Sequence, residues 1–377
     1  MTRRTPRTPP VIAGHTYVRP LGAGGFAEVF LYEQDMPRRV VAVKVLDGTA
    51  WTERTRHAFQ AEADVMARLS AHPAIISIYQ ASISADGRAF IAMEFCPETM
   101  RTRMKATPLT LEQILDVGVR LCGALETAHR SGVLHRDIKP SNVLVTALGR
   151  PVLADFGIAE VRGAVREHEQ IALSYPWAAP EVVETKISGS VASEIWSLGA
   201  TLYTFAAGRS PFESPDREQN ERRRLAARIS RALYVGLPNG ESYGQLDEVL
   251  SRALRKNPEE RYGSMLEFAE ALRAMQRLYG YDVTPVDVIS EEWAGAAPRG
   301  DDDRLRGPVV STVRPDSRRV ARENARGQAT TSRTATRARP EKKRSLSTGA
   351  ALGLGAGGML ILGLAGFLLT RVLGGGA

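Results

Sequence analysis

His135-Arg136-Asp137-Ile138-Lys139-Pro140-Ser141-Asn142, followed further on by Asp155-Phe156-Gly157, decides how this chain is read. Within these residues stand a carboxylate that can orient a hydroxyl and a lysine that can neutralise a moving phosphate. Two more, Asn142 and Asp155, carry hard oxygen donors of the type magnesium takes. Upstream, Leu21-Gly22-Ala23-Gly24-Gly25-Phe26-Ala27-Glu28-Val29 is a glycine-rich run that can turn tightly and lay backbone amides against phosphate. A glycine hairpin alone is weak evidence. Its weight comes from Val41-Ala42-Val43-Lys44 on the next apolar stretch, which sets an ammonium beneath the same loop.

Lys44 on an apolar strand needs a counter-ion if it is to serve phosphate rather than face solvent. Glu62, on the inner side of the helix that follows, is the first choice, with Glu53 left open as the alternative.

The whole-chain numbers bound the answer. With 377 residues, 43% hydrophobic and 24% charged, the chain can bury at least one large core. Its net charge of +8 would suggest a nucleic-acid partner if it were spread over the fold. It is not: between Pro298 and Arg344, twelve Arg and two Lys face four Asp and two Glu, and the remainder is formally neutral. Nucleic acid is therefore not an expected partner. Cys96 and Cys122, in segments read as a buried strand end and a helix, make neither a disulfide framework nor a zinc motif. Met1 to Pro10 are basic without an apolar stretch behind them, so no cleaved leader is expected.

Along the chain, residues 15–46 alternate short β-type runs with glycine, and a helix capped by Thr52 is expected to about Ser70. Strands are expected at 75–79 and 89–95. After Cys96-Pro97 the period turns helical, at 111–130, 191–207, 243–255 and 264–278. The expected class is α+β, with a small β-rich lobe and a larger α-rich one.

The ordered set of glycine loop, V-A-V-K, H-R-D-I-K-P-S-N, D-F-G and A-P-E at Ala179-Pro180-Glu181 resembles the bacterial eukaryotic-type (Hanks-type) serine/threonine protein kinases. The resemblance covers residues 15–279 and implies the two-lobed protein-kinase fold. It further implies ATP and Mg2+ as cofactors and protein Ser/Thr hydroxyls as acceptors. Asp137 would orient the hydroxyl and Lys139 would stabilise the transferring phosphoryl group, while Asn142 and Asp155 would hold the metal. Lys44, paired with Glu62, would meet the α- and β-phosphates under the loop Leu21 to Val29. Met93, Glu94 and Cys96 would form the hinge along the adenine edge, and Val29, Ala42 and Leu144 would sandwich its faces. Glu181 would pair with Arg261.

Three departures from that pattern stand out. No Ser, Thr or Tyr lies between Gly157 and Ser174, so Glu167 or Glu169 is read as a standing carboxylate for Arg136. Trp177 replaces a usual tyrosine beside the peptide groove. Glu194 replaces an aspartate that braces the catalytic loop, and its extra methylene is expected to loosen that brace.

Residues 280–347 are poor in large apolar groups and read as a disordered linker. The uncharged run 349–369 would span about 30 Å as a helix, matching a bilayer core, with residues 370–377 as a short tail outside the cell. Lys342, Lys343 and Arg344 before it favour a cytoplasmic kinase domain, single-pass in the cell membrane, with the basic linker near anionic lipid. Gly349, Gly353 and Gly357 share one helical face, which permits a homodimer.

Overall fold

A computed structural model describes residues 8–23, 27–46, 53–156, 175–238 and 243–289. The small lobe is a five-stranded sheet of β1 (His15–Ala23), β2 (Ala27–Gln34), β3 (Arg39–Leu46), β4 (Ile78–Ile83) and β5 (Ala89–Glu94). The strands run in the order β1-β2-β3-β5-β4, and every pairing is antiparallel. Helix α1 (Glu53–Leu69) crosses over between β3 and β4. On one face of the sheet Phe30, Tyr32, Val41, Val43, Val45, Phe90 and Ala92 pack with Ile12 from the chain ahead of β1. Tyr32 Oη donates to Pro10 O at 2.6 Å, so that leading segment is held to the sheet by both apolar and polar contacts.

The register matters for chemistry. Val29 of β2 lies opposite Lys44 of β3, and Lys44 lies opposite Ile91 of β5. The ammonium therefore rises from a central strand, where a long side chain is fixed by neighbours on both sides.

The larger lobe is built on α3 (Leu111–Arg130), which follows the two-residue strand β6 (Glu98–Thr99) and α2 (Met100–Ala106). Thr110 caps α3 and Gln113 returns a bond to the Thr110 amide, so the start of the helix is set locally. Ile114, Leu115, Val119, Leu121, Ala124 and Leu125 are all buried, which makes α3 the centre of the lobe rather than a surface helix. Helices α5 (Val191–Ala207) and α8 (Met265–Leu278) pack on it, with α7 (Leu246–Ala253) against both, while α4 (Pro180–Val183) and α6 (Arg222–Arg231) join a second cluster around Trp196 of α5. A three-stranded sheet of β6, β7 (Val143–Val145) and β8 (Pro151–Leu153) lies at the junction of the lobes.

Two expectations change. Ile75 and Ile76 do not open β4. Ile76 N–H donates to Leu153 O at 3.0 Å and Leu153 N–H to Ala74 O at 2.8 Å, so this apolar pair is buried against β8 of the other lobe. Strand β4 starts only at Ile78, where exposure begins.

The packed chain also does not stop at Tyr279. Residues 281–289, read as the start of the linker, form a strap over α3. Thr284 N–H donates to Gln276 Oε1 at 3.0 Å, Thr284 Oγ1 donates to Asp116 Oδ1 at 2.8 Å, and Ile289 N–H donates to Thr127 Oγ1 at 3.2 Å. His72 Nε2 donates to Asp287 O at 2.8 Å, and burial lowers the imidazole pKa against the pull of that carbonyl. Gly123 makes room, since a Cβ there would stand 2.3 Å from Asp287 O.

Among the described residues no helix is long and apolar enough to cross a membrane. The expected span 349–369, and all of the linker beyond Ile289, lie outside them.

Candidate active site

The irregular segment between α3 and β7 carries the catalytic-loop residues, and backbone strain shapes it. Arg136 and Asp155 both have φ of +65°, a conformation that non-glycine residues adopt at a cost of about 1–3 kcal/mol and that persists only where surroundings enforce it. At Arg136 the enforcement is visible: its N–H donates to Glu194 Oε1 at 2.6 Å from beneath. The second oxygen of Glu194 lies 2.6 Å from His129 Nε2, and both side chains are buried. His129 Nδ1 is buried without a partner among the described residues, and Nε2 is the ring nitrogen that donates to the carboxylate. The expected loosening at Glu194 is therefore corrected, because the longer side chain reaches both groups. His129 was not singled out in the sequence; a histidine on a helix gives no sign of its partner 65 residues away.

His135 is fully buried, and Nε2 donates to Ala154 O at 3.0 Å while Nδ1 accepts the Asp137 N–H at 3.2 Å. Burial lowers its pKa against nearby carboxylates, which keeps the ring neutral and fixes this tautomer. The imidazole thus ties the Asp137 backbone to the chain just ahead of Asp155.

Asp137 presents a half-buried carboxylate to the cleft. Lys139 Nζ donates to its Oδ1 and Oδ2 at 2.9 and 2.7 Å, and Asn142 Nδ2 donates to the Asp137 carbonyl at 2.8 Å and to Oδ2 at 3.0 Å. Because Asn142 spends its amide nitrogen on Asp137, its oxygen is turned outward. Ala154 N–H donates to Asn142 O at 2.9 Å, which places Asn142 beside Asp155.

Across the cleft, Lys44 Nζ meets Asp155 Oδ1 at 2.6 Å. Desolvation in the cleft pushes the Asp155 carboxyl up even though its side chain is 44% exposed, and the Lys44 ammonium, with Lys139 adding to it, more than offsets this and holds the acid below its usual range. Glu62 lies on α1 as expected, but its side chain and that of Glu53 lie outside the described residues, so the described partner of Lys44 is Asp155 alone.

Leu21, Val29, Ala42, Met93, Cys96 and Leu144 converge in one apolar cluster with Ile76, Val152 and Ala154. They come from both lobes, and Val29, Ala42, Met93, Cys96 and Leu144 among them are residues expected along the adenine, while Leu21 was expected in the loop over the phosphates. Burial, with Glu94 adding to it, pushes the Cys96 thiol up to about 12, so this sulfur is an inert wall rather than a nucleophile. Ala23, Ala27 and Glu28 lie on the facing ends of β1 and β2, and a Cβ at Gly22 would meet nothing within 4 Å. Gly24, Gly25, Phe26, Gly157, Glu167, Glu169 and Ser174 fall outside the described residues.

The donor chemistry fits a hard divalent ion. Asn142 Oδ1 and Asp155 Oδ2 are oxygens with no strong donor on them among the described residues, on adjoining loops. No cluster of three or more His, Cys, Asp or Glu side chains able to hold a metal occurs among the described residues.

Behind the site, Glu181 and Arg261 form the expected pair with two parallel bonds of 2.7 and 2.8 Å. Arg261 also donates to the carbonyls of Arg255, Ala192 and Lys256 and lies under Trp196 at 5.0 Å. Trp177 donates Nε1–H to Thr204 Oγ1 at 3.0 Å, which locks the chain just before Ala179-Pro180-Glu181 onto α5.

Comparison with known proteins agrees with this geometry. The model of the protein kinase domain family matches residues 15–276. The chain is 36% identical over 277 residues to serine/threonine-protein kinase PknK of Mycobacterium bovis, covering 72% of this chain and 24% of that protein. It is 33% identical over 284 residues to PknJ of Mycobacterium tuberculosis, covering 72% of this chain and 46% of the relative. With PknB of Mycobacterium tuberculosis it shares 32% over 259 residues, which is 66% of this chain and 40% of the relative. The chain thus spans between a quarter and a half of the length of these relatives. From loop to A-P-E, the motifs, the two lobes and the relatives agree: this chain belongs to the protein kinase family, in its bacterial eukaryotic-type (Hanks-type) serine/threonine branch.

Proposed function

We propose that this chain is a serine/threonine protein kinase that transfers the γ-phosphoryl group of Mg-ATP to hydroxyls of protein Ser and Thr. The observation that carries the reading is the 2.6 Å contact of Lys44 with Asp155 across the lobes, beside Asp137, Lys139 and Asn142. Cation, metal-type oxygens and general base face a single cleft.

In this reading the apolar cluster around Ala42 and Leu144 receives the adenine, while Lys44 turns from Asp155 to the phosphate oxygens. Asp137 orients the acceptor hydroxyl and takes its proton as the new O–P bond forms and the bond to the leaving diphosphate breaks. Lys139, already on Asp137 at 2.7 Å, is close enough to share its charge with the moving phosphoryl group. Magnesium, when bound, would lie on Asn142 and Asp155 and offset charge on the phosphates. The rival reading is a pseudokinase acting as a membrane-tethered scaffold, which a loosened brace at Glu194 would favour; the 2.6 Å bonds of Glu194 to Arg136 N–H and His129 support the enzyme instead.

The test is direct. The full chain is incubated with labelled ATP, magnesium and a Ser/Thr-containing protein, beside Asp137→Asn. Label on serine or threonine in the native sample and a drop of about 10²–10⁴ in the variant are expected; equal label in both overturns the mechanism.

We further propose that residues 349–369 anchor the chain with the kinase domain in the cytoplasm. The support is the uncharged run and the basic residues ahead of it. Alkaline extraction of membranes separates the cases: the full chain should stay in the pellet, and a chain ended at residue 348 should be released. Ser and Thr residues in the basic linker are proposed autophosphorylation sites that would weaken attraction to anionic lipid, and mass spectrometry after incubation with Mg-ATP would find them phosphorylated. Dimerisation through Gly349, Gly353 and Gly357 is expected to be lost in Gly353→Ile with Gly357→Ile, read by a membrane-helix association reporter.

A further inference from the structure

Helix α6 carries a charge arrangement that the fold does not use. Arg222, Arg223 and Arg224 form its first turn and Arg231 ends it, and all four are exposed. Backbone dipoles make the start of a helix electropositive, so three cations there oppose the helix itself. The first turn has no acidic residue, and Glu221 ahead of it makes no capping bond. Among the described residues none of the four has a carboxylate within ion-pair distance.

Arg228 of the same helix shows what a structural arginine looks like. Its guanidinium donates to Phe212 O at 2.7 Å, to Gln219 O at 3.0 Å and to Asn220 Oδ1 at 2.7 Å. The exposed four have no such set; Arg224 makes one bond, to Gln219 Oε1 at 3.0 Å.

Their place in the fold gives the charge a use. The Arg222 guanidinium lies 4.8 Å over the ring of Tyr175, in the short helical turn that leads to Ala179-Pro180-Glu181. Near the other end of α6, Ser230 lies beside Glu184, whose carboxylate pairs with Lys186 at 2.5 Å. From there the chain runs to Gly189, where a Cβ would stand 3.7 Å from the Arg136 side chain. Helix α6 thus stands against the turn that leads to Ala179-Pro180-Glu181 at Arg222 and beside Glu184 at Ser230, and the chain from there passes near Arg136 at Gly189.

We propose that this arginine face is a docking surface that selects acceptor segments bearing Asp or Glu, a specificity that rests on the kinase reading given above. Several exposed guanidiniums with no carboxylate partner among the described residues match an acidic peptide, and each additional carboxylate on the acceptor finds a cation without displacing an ion pair seen there.

The test uses the full chain with Mg-ATP and two acceptor peptides, identical except that one carries Glu where the other carries Gln around its single Ser. The native chain should show kcat/KM about tenfold higher for the Glu peptide, mainly through KM, and the ratio should shrink in high salt. In Arg223→Gln with Arg231→Gln, residues with no internal bond to lose, the ratio should fall toward one. Arg223→Lys with Arg231→Lys should keep it, which separates charge from a structural effect. Equal kcat/KM for both peptides in the native chain, or a ratio unchanged in the Gln variant, overturns the docking surface and leaves the kinase reading standing. Phosphate on neither peptide, nor on any Ser/Thr protein, overturns both.

Discussion

Glu194 accepts the backbone N–H of Arg136 at 2.6 Å and holds that residue in its left-handed conformation. The other carboxylate oxygen takes His129 at 2.6 Å, so one side chain bridges α3 and the catalytic loop. An aspartate on the same backbone would fall short of one of them.

Glu194→Asp is therefore expected to lower kcat with little change in KM for nucleotide. Glu194→Ala leaves the Arg136 amide without its acceptor and should also cost about 1–3 kcal/mol of stability. Steady-state kinetics and urea unfolding read the two effects. A Glu194→Asp enzyme with native kcat would show that the length of the side chain is not used.

Lys44 sets the protonation of Asp155. Burial alone raises that carboxyl, and Lys44 brings it below its usual range. A lowered folded-state value means that the charged carboxylate stabilises the fold above the unfolded value of about 4, and that this contribution is lost as pH falls through the folded value. Lys44→Met leaves burial opposed only by weaker charges, so Asp155 should titrate at higher pH. NMR of the Asp155 carboxyl carbon measures it. Titration at the same pH in both proteins would remove Lys44 as the cause.

Arg261 and Glu181 are buried with two parallel bonds between them, their side chains 0% and 12% exposed. Arg261→Ala strands a carboxylate in the interior, and a loss of about 3–5 kcal/mol is expected. Arg261→Lys keeps the charge but not the paired geometry or the three carbonyl contacts, and it should also destabilise measurably. The urea midpoint decides. A midpoint unchanged in the alanine variant would contradict a buried, structural pair.

Gly123 admits the strap 281–289 to α3. A methyl group there would stand 2.3 Å from Asp287 O, so Gly123→Ala should lift the strap at a cost of about 1–3 kcal/mol. Hydrogen exchange at the Thr284 and Ile289 amides, both bonded in the native fold, should speed up in the variant. Native exchange rates there would mean that the strap tolerates the methyl group.

Elements whose cause lies within a few residues were legible at once. Helices α3 and α5 begin and end where the hydrophobic period says, because Thr110 and Ser190 cap them from the adjacent position. Strand β4 begins later than the apolar pattern implies, because Ile75 and Ile76 look like any apolar strand while their partner is Leu153 in the other lobe. The strap escaped notice because polar groups hold it, among them Thr284, Gln276 and Asp116, and such anchors leave no periodic signal.

Local chemistry, read from the order of residues alone, determined which reactive groups this protein owns: Lys44, Asp137, Lys139, Asn142 and Asp155, with an apolar set for a base. Tertiary structure decided which of them meet. That Lys44 faces Asp155, that Glu194 bridges Arg136 and His129, and that four arginines of α6 have no carboxylate partner among the described residues are facts about distances between remote parts of the chain. Such distances are set by how helices and sheet pack, because an ion pair or hydrogen bond acts over a few ångströms in space whatever the separation along the sequence.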